Sequence, residues 1–281
     1  MNEGLPEGLD ASVLEWLTAR VLDALSRDEP VGPVALTFLL GRYASTDRED
    51  VGEALGRALA AALEQAPSVS GLAERTAWTL LFAQAARVSD DPRVRDAATS
   101  GVGQLSVLWS SDGGSRGVND ISARMRAIEA CLVAAPVVES PNLLGAAVNE
   151  LERLVAAHYE PGQGMGALED QLATASTLLT AHALTGRVPY PMLADELVQV
   201  ALRTPWASRS FEFNCEASLV CARLAELHRD AGYRQAAVTS VNGDYGQEAA
   251  RVLSCQLPRV RDLGTAAAPF GLALAQWLNL K

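Results

Sequence analysis

The sequence predicts an all-α protein built from about a dozen helices paired into hairpins, and three observations carry that reading. Apolar residues recur every three or four positions from the first segment to the last. Alternating runs of β-branched and aromatic residues are absent. Hydrophobic residues make up 49% of the 281 positions but aromatics only 5%, so Ala, Leu and Val dominate, which suits closely packed helices better than sheet faces.

The elements can be taken in order. Val13, Leu17, Val21 and Leu25 fall on one stripe of a first helix, because steps of three and four return to the same face. Ile121, Met125, Ile128 and Leu132 repeat the pattern, as do Phe213, Ala217, Val220, Leu224 and Leu227. Thr46-Asp47-Arg48-Glu49 reads as a capping box, in which hydroxyl and carboxylate satisfy free N–H groups reciprocally. Asp91-Pro92 and Ser140-Pro141 each set an N-cap residue before a proline at the first helical position. Gly41, Gly186 and Gly232 are read as helix stops, since glycine tolerates a left-handed cap. Helices are therefore expected to start near Asp10, Gly32, Asp47, Gly71, Pro92, Asn119, Pro141, Leu168, Pro189, Glu212, Tyr233 and Thr265. The turn signal Asn242-Gly243-Asp244 splits the eleventh of these or leaves it whole. No Pro/Gly/Ser-rich linker divides the chain, so residues 1–281 are expected to form a single domain. Antiparallel pairs at this spacing make either an open solenoid or a closed ring.

Charge and cysteine use narrow the function classes. Lys and Arg total 23 against 34 Asp and Glu, a net charge of −11, with no basic run. Nucleic acid and anionic membrane surfaces both call for a basic face, so neither is an expected partner. No apolar stretch spans a bilayer. The acidic opening segment Met1-Asn2-Glu3-Gly4-Leu5-Pro6-Glu7 has no apolar signal core, and a cytoplasmic protein is expected. Cys131, Cys215, Cys221 and Cys255 form no CxxC pair and no zinc spacing, so they are read as small buried apolar residues, with no metal and no cofactor expected.

Several segments of the C-terminal 110 residues, in order, resemble a known family. They are Leu168-Glu169-Asp170-Gln171, Leu178-Leu179-Thr180-Ala181-His182-Ala183-Leu184-Thr185-Gly186, Tyr190-Pro191-Met192-Leu193-Ala194-Asp195-Glu196-Leu197, Trp206, Asn214-Cys215-Glu216-Ala217, and Ala222-Arg223-Leu224-Ala225. Together they are similar to the toroid domain of spermatogenesis-associated, thioredoxin-fused proteins, relatives of the N-acylglucosamine 2-epimerase superfamily. The resemblance implies an (α/α)6 toroid, with inner helices ringed by outer ones and a pocket at one rim. If the even-numbered helices are inner, that rim carries the segments before Gly71, Asn119, Leu168, Glu212 and Thr265. The chain departs from the family in having no thioredoxin domain, no Cys-x-x-Cys and no histidine pair suited to epimerisation.

Candidate chemistry is sparse. Of His158, His182 and His228, only His158 enters a rim loop, where it serves as a base or caps its helix. Glu169 and Asp170 open a predicted inner helix, with Glu216 as a candidate opposite number. Opposed carboxylates suit acid–base work on glycosides, although acidic residues in a first turn also simply complement the helix dipole. Asn214 and Glu216 lie among Trp206, Phe211 and Phe213, the amide–carboxylate–aromatic mixture of many sugar pockets. Phe213 also falls on the core stripe. Asp112-Gly113-Gly114-Ser115-Arg116-Gly117 lacks the strand and lysine of a phosphate loop. The expected function is a toroid module with a rim pocket for a carbohydrate-like or small polar ligand, formed by Glu169, Asp170, Asn214, Glu216 and Trp206 and degenerate as an enzyme. The alternatives are a non-catalytic interaction module serving a separately encoded protein partner, and an active sugar isomerase or glycosidase using Glu169, Asp170 and Glu216.

Overall fold

Apolar stripes at helical spacing become helices throughout the computed structural model, which describes residues 8–65, 71–110, 120–203, 209–237 and 244–281. The helices are α1 (Ala11–Ser26), α2 (Pro33–Thr46), α3 (Glu49–Gln65), α4 (Leu72–Ala85), α5 (Pro92–Ser110), α6 (Ile121–Ala134) and α7 (Leu143–His158). They continue with α8 (Leu168–Thr185), α9 (Pro189–Leu202), α10 (Phe211–Leu227), the short α11 (Ala231–Ala236), α12 (Tyr245–Leu263) and α13 (Ala268–Leu278). A 3-10 turn, Gly264–Ala267, precedes the last. About 80% of the described residues are helical, and their only extended pairing is one bridge between Glu160 and Gly164, so the all-α expectation holds among them. None of the described helices is long and apolar enough to cross a membrane.

Local chemistry explains most boundaries and corrects a few. Asp91 caps α5 as expected, its Oδ1 accepting from the Arg93 N–H at 2.9 Å. Gly186 ends α8 with φ +69°, in the left-handed region that glycine favours. The capping box does not form. Thr46 instead ends α2, its hydroxyl donating back to the Arg42 carbonyl at 2.7 Å, and Asp47 takes the left-handed cap. Gly41 lies inside α2, where packing of Leu36, Phe38 and Leu39 outweighs the cost of one helical glycine. Gly232 lies inside α11, because α10 already ends at His228. Ser140-Pro141 forms a turn before α7, which starts behind Asn142. The eleventh element is split, with Asp244 capping α12 through the Gln247 N–H at 3.0 Å.

The chain divides into two compact units, Leu59–Thr204 and Met1–Ala58 with Pro205–Lys281, and the division falls inside α3. In the first, α6 packs against α4 on one side and α8 on the other. Helix α5 covers α4 and α6, α7 covers mainly α6, and α9 covers α8. The even helices are thus the inner layer of this unit. Helix α8 shows the consequence in its sequence: every residue from Gln171 to Ala181 is buried, so it has no polar face. Apart from Gln171, the polar residues of this stretch are Ser and Thr, of which Thr177 bonds within the helix while Ser176 and Thr180 donate to Glu129 of α6. The Thr177 hydroxyl is shared between the carbonyls of Ala173 (2.8 Å) and Met125 (3.0 Å).

In the other unit α13 is central, touching α1, α2, α10 and α12. Ala268, Phe270, Gly271, Ala273 and Leu274 are its buried residues. The last helix of the chain therefore shares a core with the first two. Here α2 and α10 flank an odd-numbered central helix, because the short α11 shifts the numbering by one.

Three of the four cysteines are buried within these cores, and Cys255 on α12 is exposed. Burial pushes the Cys131 thiol up to about 12 and raises Cys215 and Cys221 further. Since the thiolate is the reactive form, a thiol-specific reagent should label the native protein at Cys255 alone, and the other three only on unfolding. Rapid labelling of more than one thiol per native chain would contradict this packing.

Candidate functional site

At one end of the unit Leu59–Thr204, the first turns of α6 and α8 share their polar groups. Asp120 is the N-cap of α6, accepting from the Ala123 N–H at 3.0 Å and from the Ser122 hydroxyl at 2.7 Å. Asp170, in the first turn of α8, reaches across so that its Oδ1 accepts from the Ser122 N–H at 2.9 Å. Two carboxylates thus serve one helix N-terminus, where free N–H groups and the helix dipole favour negative charge. Glu169 stands beside them, and His158, exposed in the last turn of α7, is close enough for its charge to act on Asp170.

The two carboxylates are driven in opposite directions. Burial raises Asp170 above the ordinary carboxylate range, and the charges of Asp120 and Glu169 add to this, against the Ser122 N–H and His158. Asp120 is held below that range, first by the Ser122 hydroxyl and then by the Ala123 N–H. Opposite shifts of this kind make Asp170 the easier of the two to protonate and leave Asp120 an acceptor. A raised pKa in the folded state means that stability is greatest below the unfolded carboxylate pKa and is lost as pH rises through the folded value. Asp170→Asn keeps an acceptor for Ser122 and removes the charge. It should therefore raise Tm at pH 7, with the gain vanishing in acid, and equal gains at both pH values would refute the assignment.

The loop leading into α8 is built on the same end. Gly162, Gly164 and Gly166 all have positive φ, and at Gly164 a Cβ would sit 2.2 Å from the Gln171 amide oxygen. Gln171, 1% exposed, donates to the Gln163 carbonyl at 2.8 Å and accepts from the Met165 N–H at 3.1 Å, so one buried amide shapes the loop. The Tyr159 hydroxyl donates to Glu196 of α9 at 2.7 Å. Burial, with Glu196 beside it, pushes that phenol up to about 12.

The other expected site residues belong to the second unit. Asn214 is 1% exposed, and its Nδ2 donates to the carbonyls of Ser210 (2.9 Å) and Arg209 (3.3 Å). Its donor side is used in closing the turn into α10, where Ser210 is the N-cap. Glu216 is half-buried on the same helix. Phe213 is a core residue, as its stripe position implies, and Phe211 stacks on Phe270 with centroids 6.4 Å apart. Trp206 lies outside the described residues. Glu169 and Asp170 are therefore neighbours of Asp120, and Asn214 and Glu216 neighbours of each other. His182 faces the Arg187 carbonyl at 3.1 Å, and His228 stacks on Tyr233, so each is engaged at a helix end.

Asp120, Ser122 and Gln171 were legible only in part. An Asp before an apolar run is a cap signal, but nothing local shows that a second carboxylate, 48 positions on, binds the same turn. Glu129 of α6 is a further group without a local signature. It accepts from Ser176 (2.9 Å) and Thr180 (2.7 Å) across the seam with α8. Among the described residues no group of His, Cys, Asp and Glu could hold a metal ion. A cavity of about 500 Å³ between α3, α4 and α5 is lined by none of these residues.

No protein-family model matches the chain, and no curated protein is significantly similar to it.

Proposed function

We propose that this chain is a six-hairpin toroid module that binds a small polar, carbohydrate-like ligand at the end where α6 and α8 begin, and that it acts by binding rather than turnover. The observation that carries the reading is the pairing of Asp170 and Asp120 on one helix N-terminus, one carboxyl raised and the other lowered. Hydroxyl groups of such a ligand donate to carboxylates, and a partly desolvated acceptor strengthens each bond. Binding is favoured over chemistry because both carboxylates are already anchored to backbone N–H groups of α6. The toroid reading is supported by a layered packing within each unit: α4, α6 and α8 pack in series under α5, α7 and α9, and α13 packs between α2 and α10.

Thermal-shift measurements with a panel of neutral mono- and disaccharides test this. At least one should raise Tm, and Asp170→Ala with Asp120→Asn, which keeps a capping side chain, should abolish the shift while the circular dichroism stays helical. No shift with any sugar, or one that survives the double substitution, overturns the site. Consumption of a bound sugar would overturn the reading as a binder.

A further inference from the structure

We propose that the recess between the end of α3 and the flanks of α4 and α5 is a second ligand site, for a neutral planar heteroaromatic molecule carrying a hydrogen-bond acceptor. Three helix faces meet there without filling the space. Trp78, Thr79 and Phe82 recur at helical spacing on α4, and Ala97 and Gly101 do so on α5. Small residues at the centre of the α5 face leave the volume open. At about 500 Å³, it lies within the range of small-molecule pockets.

The floor is rigid and aromatic. Trp78 and Phe82 stack with centroids 5.8 Å apart and an interplanar angle of 23°. Gly101 brings α5 so close to α4 that a Cβ there would sit 2.3 Å from the Thr79 hydroxyl oxygen. The floor is thus set by two helices in direct contact, a preformed surface that costs little ordering on binding.

Charge on the walls selects against ionic ligands. Arg75 and Arg93 face Glu64 and Asp96 around the recess, and Arg93 is already gripped by Asp91 at 2.7 Å. With two charges of each sign the walls give no net attraction to an anion or a cation, so an ionic ligand loses hydration without a matched counter-charge. A neutral ligand meets no such penalty.

The acceptor follows from Trp78. It is 7% exposed, and its indole N–H has no acceptor among the described residues. A buried donor left unmet is costly, and most buried indoles find a partner. The nitrogen is closed to solvent, so an acceptor atom entering the recess would supply one as the Trp78 ring turns toward it. An amphipathic partner helix fits less well, because the α5 side of the recess presents Asp96, Ser100 and Gln104, all exposed and polar, instead of an apolar groove.

The test is fluorine NMR of the full chain labelled with 5-fluorotryptophan, the Trp78 resonance being assigned by its loss in Trp78→Phe. The probes share one ring system: 2-quinolone (neutral, with a carbonyl acceptor), quinoline-4-carboxylate and N-methylquinolinium. The quinolone should shift the Trp78 resonance saturably, with each charged probe at least about tenfold weaker. Ser100→Trp, at an exposed position, should fill the recess and abolish the shift, and Ala97→Leu provides an independent block if that variant melts early. Trp78→Phe should weaken quinolone binding several-fold in ligand-observed saturation transfer. An absent shift, equal affinity for all three probes, or binding that survives a folded blocked variant overturns the proposal. So does a Trp78 shift with protein concentration alone, which would mean that a second copy of the chain occupies the recess.

Discussion

Phe38→Ala is expected to lower the unfolding free energy by about 3–5 kcal/mol, read from urea denaturation. Phe38 is 1% exposed on α2, and its ring lies where a side chain on Gly271 of α13 would be, with a Cβ there only 2.6 Å from the ring. The same Cβ would meet Leu17 of α1 at 3.1 Å. Three helices thus close on one aromatic ring, and its removal leaves a hole that rigid helices cannot collapse into. The complementary change sharpens the test. Gly271→Ala alone should cost about 1–3 kcal/mol through overpacking, whereas in the Phe38→Ala background it should fill space and recover part of the loss. Additive effects, or a loss below about 1 kcal/mol for Phe38→Ala, would mean that the ends of the chain do not share a core.

Arg124→Met is expected to cost about 3 kcal/mol, the low end of what breaking a buried ion pair costs. Glu150 on α7 is 6% exposed, and its carboxylate accepts from Arg124 of α6 at 2.7 Å and from Arg153 at 2.7 and 2.8 Å. Arg124 is 16% exposed but Arg153 is 56%, so the first is the partner sheltered from water. Without it a nearly buried charge depends on a guanidinium that is half in solvent, where pairing contributes little. Replacing Glu150 as well, by leucine, should restore much of the stability, because an apolar pair can stand in for a buried ionic one. A double variant no more stable than Arg124→Met would show that the arginine stem, not its charge, packs α6 on α7.

Helix identity was legible because each signal is local. Val13, Leu17 and Val21 sit on a stripe whatever surrounds them, and Asp91, Asp244 and Gly186 act on the backbone within four residues. The same locality explains the misreadings. Gly41 carries a stop signal that α2 overrides, because burial of its other face contributes more than one glycine costs. Thr46 has the hydroxyl of a cap but donates it backwards.

The candidate site divides on the same line. That Glu169 and Asp170 would stand in the first turn of a helix was determined by sequence alone, since Leu168 does start α8. That Asp170 would cap α6, and so be buried beside Asp120 and raised, was decided by the packing of α8 on α6. Asn214 shows the reverse: its side chain is spent on carbonyls four and five residues away, a local use that composition could not distinguish from ligand binding. The recess on Trp78 has no sequence signature, because it arises where small residues of α5 face the aromatic pair of α4 beside the end of α3, and these meet only when packed. Sequence sets what each helix can bury and where it starts, since those depend on neighbours within a turn or two. Which groups share a desolvated space depends on contacts tens of residues apart, and so only the tertiary structure decides it.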